Sequence, residues 1–246
     1  MKTYFIADLH LDDSRPHITQ LFIEFLNEIK QDADTLYILG DLFEYWIGDD
    51  VLDLPLEACP RTIKLMQSVV IALKALTDCG VTLYLAHGNR DFLLGKHFMQ
   101  AVGAHLLDEH VVIDLYGTPT LIMHGDTLCT DDIEYQQLRT LLRSTQWQQD
   151  FLSQSIQMRI KEADNLRQMS QKQTKEKQQA ILDVNQQSVE AVMRQFKVLQ
   201  LIHGHTHRPA THQFMLEGVA AKRIVLADWY QRSSSLVIES PFFKVV

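Results

Sequence analysis

The sequence predicts an α/β fold, and three observations predict it. Short apolar runs of strand length alternate with stretches whose apolar residues recur at helical spacing. Several runs stop at a glycine set beside Asp, Asn or His, and one long segment carries neither glycine nor proline. In open α/β sheets the ligand lies outside the carboxyl ends of the strands, so the polar groups that follow the runs form the candidate site.

The first run, Tyr4 to Ala7, leads into Asp8-Leu9-His10. From Ile18 to Lys30, the residues Leu21, Phe22, Phe25, Leu26 and Ile29 make one apolar stripe, which predicts an amphipathic helix. The second run, Leu36 to Leu39, ends at Gly40-Asp41, a carboxylate that could cap a helix or bind a metal. A second helix is expected over residues 60–79, with Leu65, Met66, Val69, Leu73 and Leu76 on one face and Gly80 as its stop. Val81 to Ala86 then runs into His87-Gly88-Asn89-Arg90-Asp91, Leu121 to Met123 into His124-Gly125-Asp126, and Val198 to Ile202 into His203-Gly204-His205-Thr206-His207. Arg223 to Leu226 and Ser235 to Glu239 read as further strands, with turns at Glu217-Gly218 and over 231–234. Run, break and polar group recur at five places, which favours one shared site over five separate caps.

Residues 131–200 depart from this alternation. They lack Gly and Pro, are rich in Gln, and place Leu138, Leu142, Phe151, Leu152 and Ile156 at helical intervals. This predicts a helical insertion in a core made of 1–130 and 201–246, since the segment is too long for an ordinary loop. Over 133–200, ten Lys and Arg face seven Asp and Glu, so the insertion is net +3 and the remainder −11 within a total of −8. That asymmetry suits an anionic ligand or a membrane surface, with an ordinary solvated helical face as the alternative.

With 246 residues and 46% hydrophobic content, the chain supports one large core rather than two equal domains. It has no apolar run long enough to span a membrane, and the N-terminus enters a strand with no leader-like segment, so a cytosolic protein is expected. Cys59, Cys79 and Cys129 form no paired motif, which predicts packed thiols rather than disulfides or a thiolate zinc site. The isoelectric point near 5.7 disfavours a general nucleic-acid binder.

His10 follows Asp8 by two residues, and His207 follows His205 by two. On an extended segment alternate residues face one way, so each pair is expected to present both groups to one side. With Asp41, Asn89 and His124, seven oxygen and nitrogen donors stand at strand ends without a thiolate. One divalent ion takes about four to six such ligands, so seven fit two ions sharing a bridging carboxylate.

Taken in order, Asp8-x-His10, Gly40-Asp41, Gly88-Asn89, His124 and Gly204-His205-x-His207 resemble the motif blocks of the calcineurin-like metallophosphoesterases, a family of binuclear metal hydrolases. The resemblance implies a four-layer α/β/β/α sandwich in which two mixed sheets are flanked by helices. It also implies one ion held by Asp8, His10 and His207, a second by Asn89, His124 and His205, and Asp41 bridging both. Many members carry His where this chain has Arg90. Arginine stays protonated and cannot act as a general acid near neutral pH, but its planar fork suits phosphate oxygens. A leaving phosphate of low pKa needs no proton, so Arg90 favours a diphosphate substrate over an alkyl phosphomonoester.

Longer strings are similar to one branch of that family, the bacterial UDP-2,3-diacylglucosamine pyrophosphatases of lipid A synthesis. They include Phe5 to Leu11, Tyr37 to Glu44, Trp46 to Asp50, His87 to Lys96, Ile122 to Asp132 and Leu201 to Ala210, and the likeness covers most of residues 3–212. It implies hydrolysis of UDP-2,3-diacylglucosamine to UMP and 2,3-diacylglucosamine 1-phosphate by water attacking the α-phosphorus. Two Mn²⁺ ions are the implied cofactors, and the implied location is the cytoplasmic face of the inner membrane, as a peripheral protein. Segment 131–200 would cap the site and take the acyl chains. Carried over by position, Asn89, Arg90 and His124 are catalytic; Asn89 and Arg90 contact the diphosphate; Asp132, Ser170, Lys177 and His205 contact nucleotide or sugar. Thr174 stands where the branch has Asn. Asp91 and Asp126 are expected to orient neighbouring ligands or cap helices. A monomer is expected, with no nucleic-acid partner. The alternatives are a related binuclear-metal phosphodiesterase and a non-catalytic scaffold of the same fold; a scaffold would be expected to have lost donors that this chain retains.

Overall fold

Alternation along the strands builds the layers of the computed structural model, which describes residues 1–176 and 183–240, with Ala58 and residues 171–176 described by backbone alone. In β1 (Lys2–Ile6), β2 (Thr35–Leu39) and β3 (Thr82–Ala86), the side chains of Tyr4, Ile6, Leu36, Ile38, Leu83 and Leu85 face one way. There they pack with α1 (Pro16–Ile29), α2 (Arg61–Asp78) and α3 (Lys96–Val102). Their neighbours Phe5, Tyr37 and Leu39 face the other way and pack on Ile122 of β6 (Thr118–Ile122) and Ile202 of β7 (Gln200–His203). Successive residues of a strand point to opposite faces, and strands apolar on both must be covered on both. Beyond the second sheet, Leu121 and Leu201 meet Val189, Val192 and Met193 of α7 (Gln186–Phe196). The four layers are helix, sheet, sheet, helix, as the resemblance implies.

The first sheet adds β4 (Ala104–Leu106) and β10 (Leu236–Glu239) in the order β10-β1-β2-β3-β4, with β1 to β4 parallel and β10 antiparallel at the edge. The second adds β5 (Val111–Leu115), β8 (Ala210–Leu216) and β9 (Val219–Val225) in the order β5-β6-β7-β9-β8. Its central strands β6, β7 and β9 are parallel, while β5 and β8 are antiparallel edges. Tyr116-Gly117 and Glu217-Gly218 close the two hairpins with positive φ at both positions of each, as two-residue turns require.

Helix α1 starts at Pro16, whose fixed φ suits the first helical position, and α2 ends just before Gly80, which takes φ 95°. Between β6 and β7 come α4 (Ile133–Leu142), α5 (Thr145–Leu152), α6 (Ile156–Glu176) and α7. Asp132, Ser144 and Asn185 cap α4, α5 and α7 with side-chain oxygens, each satisfying backbone N–H groups of the first turn. Helices α5 and α6 dock on the first sheet's rim through buried Phe151 and Ala163. Buried Arg159 of α6 donates to the Ile47 carbonyl and pairs with Asp50. The edges β5 and β8 each hold three apolar residues in a row, Val111 to Ile113 and Phe214 to Leu216, but neither run leads into a glycine beside Asp, Asn or His, so the pattern of run, break and polar group passes over them.

Candidate metal centre and substrate cleft

The loops after β1, β2, β3, β6 and β7 meet at one rim. His10 N–H donates to the Asp41 carbonyl at 2.9 Å, Gly204 N–H to the His124 carbonyl at 2.9 Å, and His205 N–H to Asp8 Oδ2 at 2.7 Å. Asp8, His10, Asp41, His205 and His207 all take positive φ, between 49° and 70°. Such backbone is uncommon outside glycine, and clusters of it mark sites where function outweighs local strain. The strand alternation expected of Asp8/His10 and His205/His207 is therefore corrected: both pairs converge through left-handed backbone, because each follows the end of its strand. The loops approach so closely that a Cβ on Gly88 would fall 2.0 Å from Asp41 Oδ1, and one on Gly204 2.5 Å from Asp8 Oδ2. Only glycine fits at either place.

The side chains form two groups. In the first, Asp8, His10 and His207 bring one donor atom each within 4.8 Å of one another, with His10 Nε2 3.2 Å from His207 Nε2 and Asp8 Oδ1 3.6 Å from the latter. In the second, Asp41, His124 and His205 do the same, and Asn89 Oδ1 stands 3.1 Å from His124 Nε2 and 2.9 Å from His205 Nδ1. Asp41 Oδ2 lies 3.7 Å from His10 Nε2 and 3.7 Å from His124 Nε2, so it faces both groups equally. His124 Nδ1 is 2.8 Å from the Leu39 carbonyl, which can only accept, so Nδ1 carries a proton and Nε2 is the ring nitrogen turned to the site.

These residues fit cations. Asp8 Oδ1 is buried without a hydrogen-bond partner, an expense that a bound cation removes. Burial pushes Asp41 up from the usual carboxylate range despite His124 and His10 beside it, so its anionic form lacks sufficient countercharge. Burial, reinforced by His124, pushes His205 down to about 3 and keeps its imidazole neutral, as metal ligation requires. Asp91, fully buried, accepts from Leu42 N–H at 2.7 Å and Gly88 N–H at 2.9 Å, locking the Asp41 loop to the Asn89 loop rather than capping a helix. Asp126 accepts from Tyr135 Oη at 2.9 Å and Arg139 Nε at 2.6 Å, joining the loop after β6 to α4.

A cleft of about 520 Å³ opens over both groups, and Asn89, Arg90, Asp132, Ser170 and His205 all line it. Arg90 Nη2 donates to Ser170 Oγ at 3.3 Å, and Arg90 N–H to Asp41 Oδ1 at 2.8 Å. The backbone of Thr174 lies in α6, while its side chain and Lys177 fall outside the described residues. Beside Arg90 the cleft continues into a smaller apolar chamber of about 130 Å³, lined by Trp46, Phe92, Leu138, Leu142, Trp147 and Phe151. Tyr45 and Trp46 both line the chamber, Trp46 while packed in the core with Phe43 and Ile47. Arg167 also lines the cleft and is absent from the sequence-based expectations; a charged residue in a charged helix carries no signal until the fold shows what it meets.

Fold and donor groups together define a calcineurin-like phosphoesterase, and the profile of that family, described as calcineurin-like phosphoesterase, matches residues 1–209. The fold implies divalent metal ions, and the two donor groups are its candidate sites. The chain is 47% identical over 237 residues to UDP-2,3-diacylglucosamine hydrolase of Actinobacillus succinogenes, covering 96% of this chain and 95% of the relative. It is 47% identical over 247 residues to the enzyme of that name from Stenotrophomonas maltophilia (98% and 96%), and 46% over 246 residues to that from Serratia proteamaculans (100% and 98%). The chain belongs to this family of UDP-2,3-diacylglucosamine hydrolases within the calcineurin-like phosphoesterases.

Proposed function

We propose that the chain hydrolyses the pyrophosphate bond of UDP-2,3-diacylglucosamine, releasing UMP and 2,3-diacylglucosamine 1-phosphate for lipid A synthesis. The observation that carries this reading is the junction of a two-group donor site with an apolar chamber, with Arg90 between them. Asp8, His10 and His207 would hold one ion, Asn89, His124 and His205 the other, and Asp41 both; the set holds no thiolate, and Mn²⁺ is the ion proposed for it because the family resemblance implies it. Bound there, the ions would lower the pKa of a water towards neutrality and neutralise phosphoryl oxygens.

The chain's own part is placement. Arg90 offers its guanidinium to the diphosphate and, with Asn89, would orient it, while His124 keeps Nε2 turned to the site through its bond to Leu39. Asp132, Ser170 and His205 line the same cleft and would contact sugar or nucleotide; Thr174 and Lys177 are proposed for the same role by their positions in the sequence. Of segment 131–200, α4 to α6 are read as the lid and supply most of the chamber for acyl chains, whereas α7 forms the outer layer of the sandwich and belongs to the core. Among the described residues no helix is long and apolar enough to cross a membrane. A monomer resting on the cytoplasmic face of the inner membrane, helped by the net +3 of 133–200, would meet its lipid substrate there.

The test is hydrolysis of UDP-2,3-diacylglucosamine by the Mn²⁺-loaded protein in ¹⁸O-water. Label in UMP and none in the sugar phosphate is expected, with kcat/KM far above that for bis(p-nitrophenyl) phosphate. Comparable efficiency on both substrates would make the chain a general phosphodiesterase.

A further inference from the structure

A single buried carboxylate ties the first donor group to the arginines of the cleft. Glu44 is 4% exposed, three residues after Asp41, and its backbone is locked beside His10: Leu11 N–H donates to the Leu42 carbonyl at 2.9 Å and Glu44 N–H to the Leu11 carbonyl at 3.2 Å. Its Oε2 lies 3.4 Å from His10 Nδ1 and 3.8 Å from Arg15 Nη2. Its Oε1 lies 3.0 Å from Arg167 Nε and 4.0 Å from Arg90 Nη1. Arg167 of α6 is held from a second side by Asp12, whose Oδ2 accepts from Nη2 at 2.8 Å.

We propose that Glu44 is a positioning residue that orients the His10 imidazole toward its ion and sets the Arg90 and Arg167 guanidinium groups over the cleft. The inference rests on the two-ion reading above and assigns a role to a residue outside the seven donors. A metal-bound histidine usually gives its second ring N–H to a carboxylate, which fixes both tautomer and ring orientation. His10 Nδ1 is buried without a hydrogen bond, and Glu44 Oε2, 3.4 Å away, is the carboxylate oxygen within reach of it.

Charge supports the same assignment. Three guanidinium groups, Arg15, Arg90 and Arg167, crowd one cleft wall against the carboxylates of Glu44 and Asp12. Without Glu44 they would repel one another beside two divalent ions, and their forks would lose the fixed geometry that a diphosphate needs. A buried carboxylate is costly to desolvate, and a packed apolar side chain would serve folding at least as well, so stability alone is a poor reason for it here.

The experiment compares full-length wild type, Glu44→Gln, Glu44→Asp and Asp12→Asn by Mn²⁺ binding isotherm, thermal melting, and kcat and KM on UDP-2,3-diacylglucosamine. Glu44→Gln keeps the volume and removes the charge; it is expected to weaken one of two Mn²⁺ sites and to lower kcat by about 10- to 100-fold each, and to raise KM because Arg90 and Arg167 lose their shared partner. Glu44→Asp keeps the charge but shortens its reach, and should fall between. Asp12→Asn puts an amide NH2 against Arg167 while its oxygen can still accept from Ser14 and Arg15 and keep the turn beside His10, so it should raise KM while leaving the Mn²⁺ isotherm within about twofold of wild type. Wild-type Mn²⁺ affinity and kcat in Glu44→Gln would overturn the proposal. Equal weakening of Mn²⁺ binding in Asp12→Asn would also overturn it, because the link would then run through Arg167. If Glu44→Gln fails to fold, an unchanged Mn²⁺ isotherm in folded Glu44→Asp has the same consequence. The isotherm needs no substrate, so a wrong substrate assignment would fail the activity arm alone.

Discussion

Asp41 Oδ2 lies 3.7 Å from His124 Nε2, and the same oxygen lies 3.7 Å from His10 Nε2 in the other donor group. One atom thus faces both groups, while Asp41 Oδ1 accepts from the Arg90 backbone N–H at 2.8 Å. Asp41→Ala should therefore abolish stoichiometric Mn²⁺ binding at both sites and lower activity by at least about a thousandfold. Mn²⁺ per chain after desalting reads this directly; two ions retained by the variant would remove Asp41 from the bridging position.

Arg90 contacts Ser170 and lines the cleft, but its side chain belongs to neither donor group. Arg90→Ala should keep both Mn²⁺ ions and lose about 10- to 100-fold in kcat/KM, the scale of one or two charge-assisted hydrogen bonds. Steady-state kinetics alongside metal analysis separate the two effects. Arg90→Lys should recover little, since an ammonium cannot reproduce the fork.

Arg159 is 2% exposed and joins α6 to the loop after β2 through Ile47 and Asp50. Arg159→Met should leave the Ile47 carbonyl unpaired and cost roughly 2 kcal/mol, because breaking one partner of a buried pair is expensive while Asp50 stays half in solvent. The expected outcome is faster amide exchange over 145–170 with the first sheet unchanged. Uniform exchange across the chain would show that α6 does not depend on this anchor.

His203 is fully buried, with Nδ1 2.8 Å from the Gly204 carbonyl and Nε2 3.1 Å from Arg223 Nη1, which can only donate. The ring is therefore neutral, and burial, with Arg223 adding to it, pushes its pKa down to about 4. In the unfolded chain it titrates near 6.5. Between those values the unfolded state binds more protons, so this contribution is complete above about pH 6.5 and lost as pH falls towards 4, on the order of 3 kcal/mol in all. Melting of metal-free protein at pH 7 and pH 5 should show a smaller drop for His203→Gln than for wild type. An equal drop would assign the acid sensitivity elsewhere.

Much of the site is legible in the sequence because its donors follow strand runs directly, and a run with its terminal Asp, Asn or His is a local pattern. Helices α1 and α2 are legible from their apolar stripes for the same reason. Glu44, Asp12, Arg15 and Arg167 are not, because a charged residue gains meaning only from a partner that the fold brings up; Arg167 meets Asp12 across 155 positions. The left-handed backbone at Asp8, His10, His205 and His207 is equally hidden, since non-glycine residues give no notice of positive φ. The edges β5 and β8 escape because their apolar runs, Val111 to Ile113 and Phe214 to Leu216, do not end in the glycine and polar group that mark the runs at the site.

The most direct test of the account is anomalous diffraction from crystals of the full chain grown with Mn²⁺. Two peaks are predicted, roughly 3.5–4 Å apart as in two-metal hydrolases. One should lie among Asp8, His10 and His207, the other among Asn89, His124 and His205, with Asp41 bound to both. A single peak, or two that do not share Asp41, would contradict it.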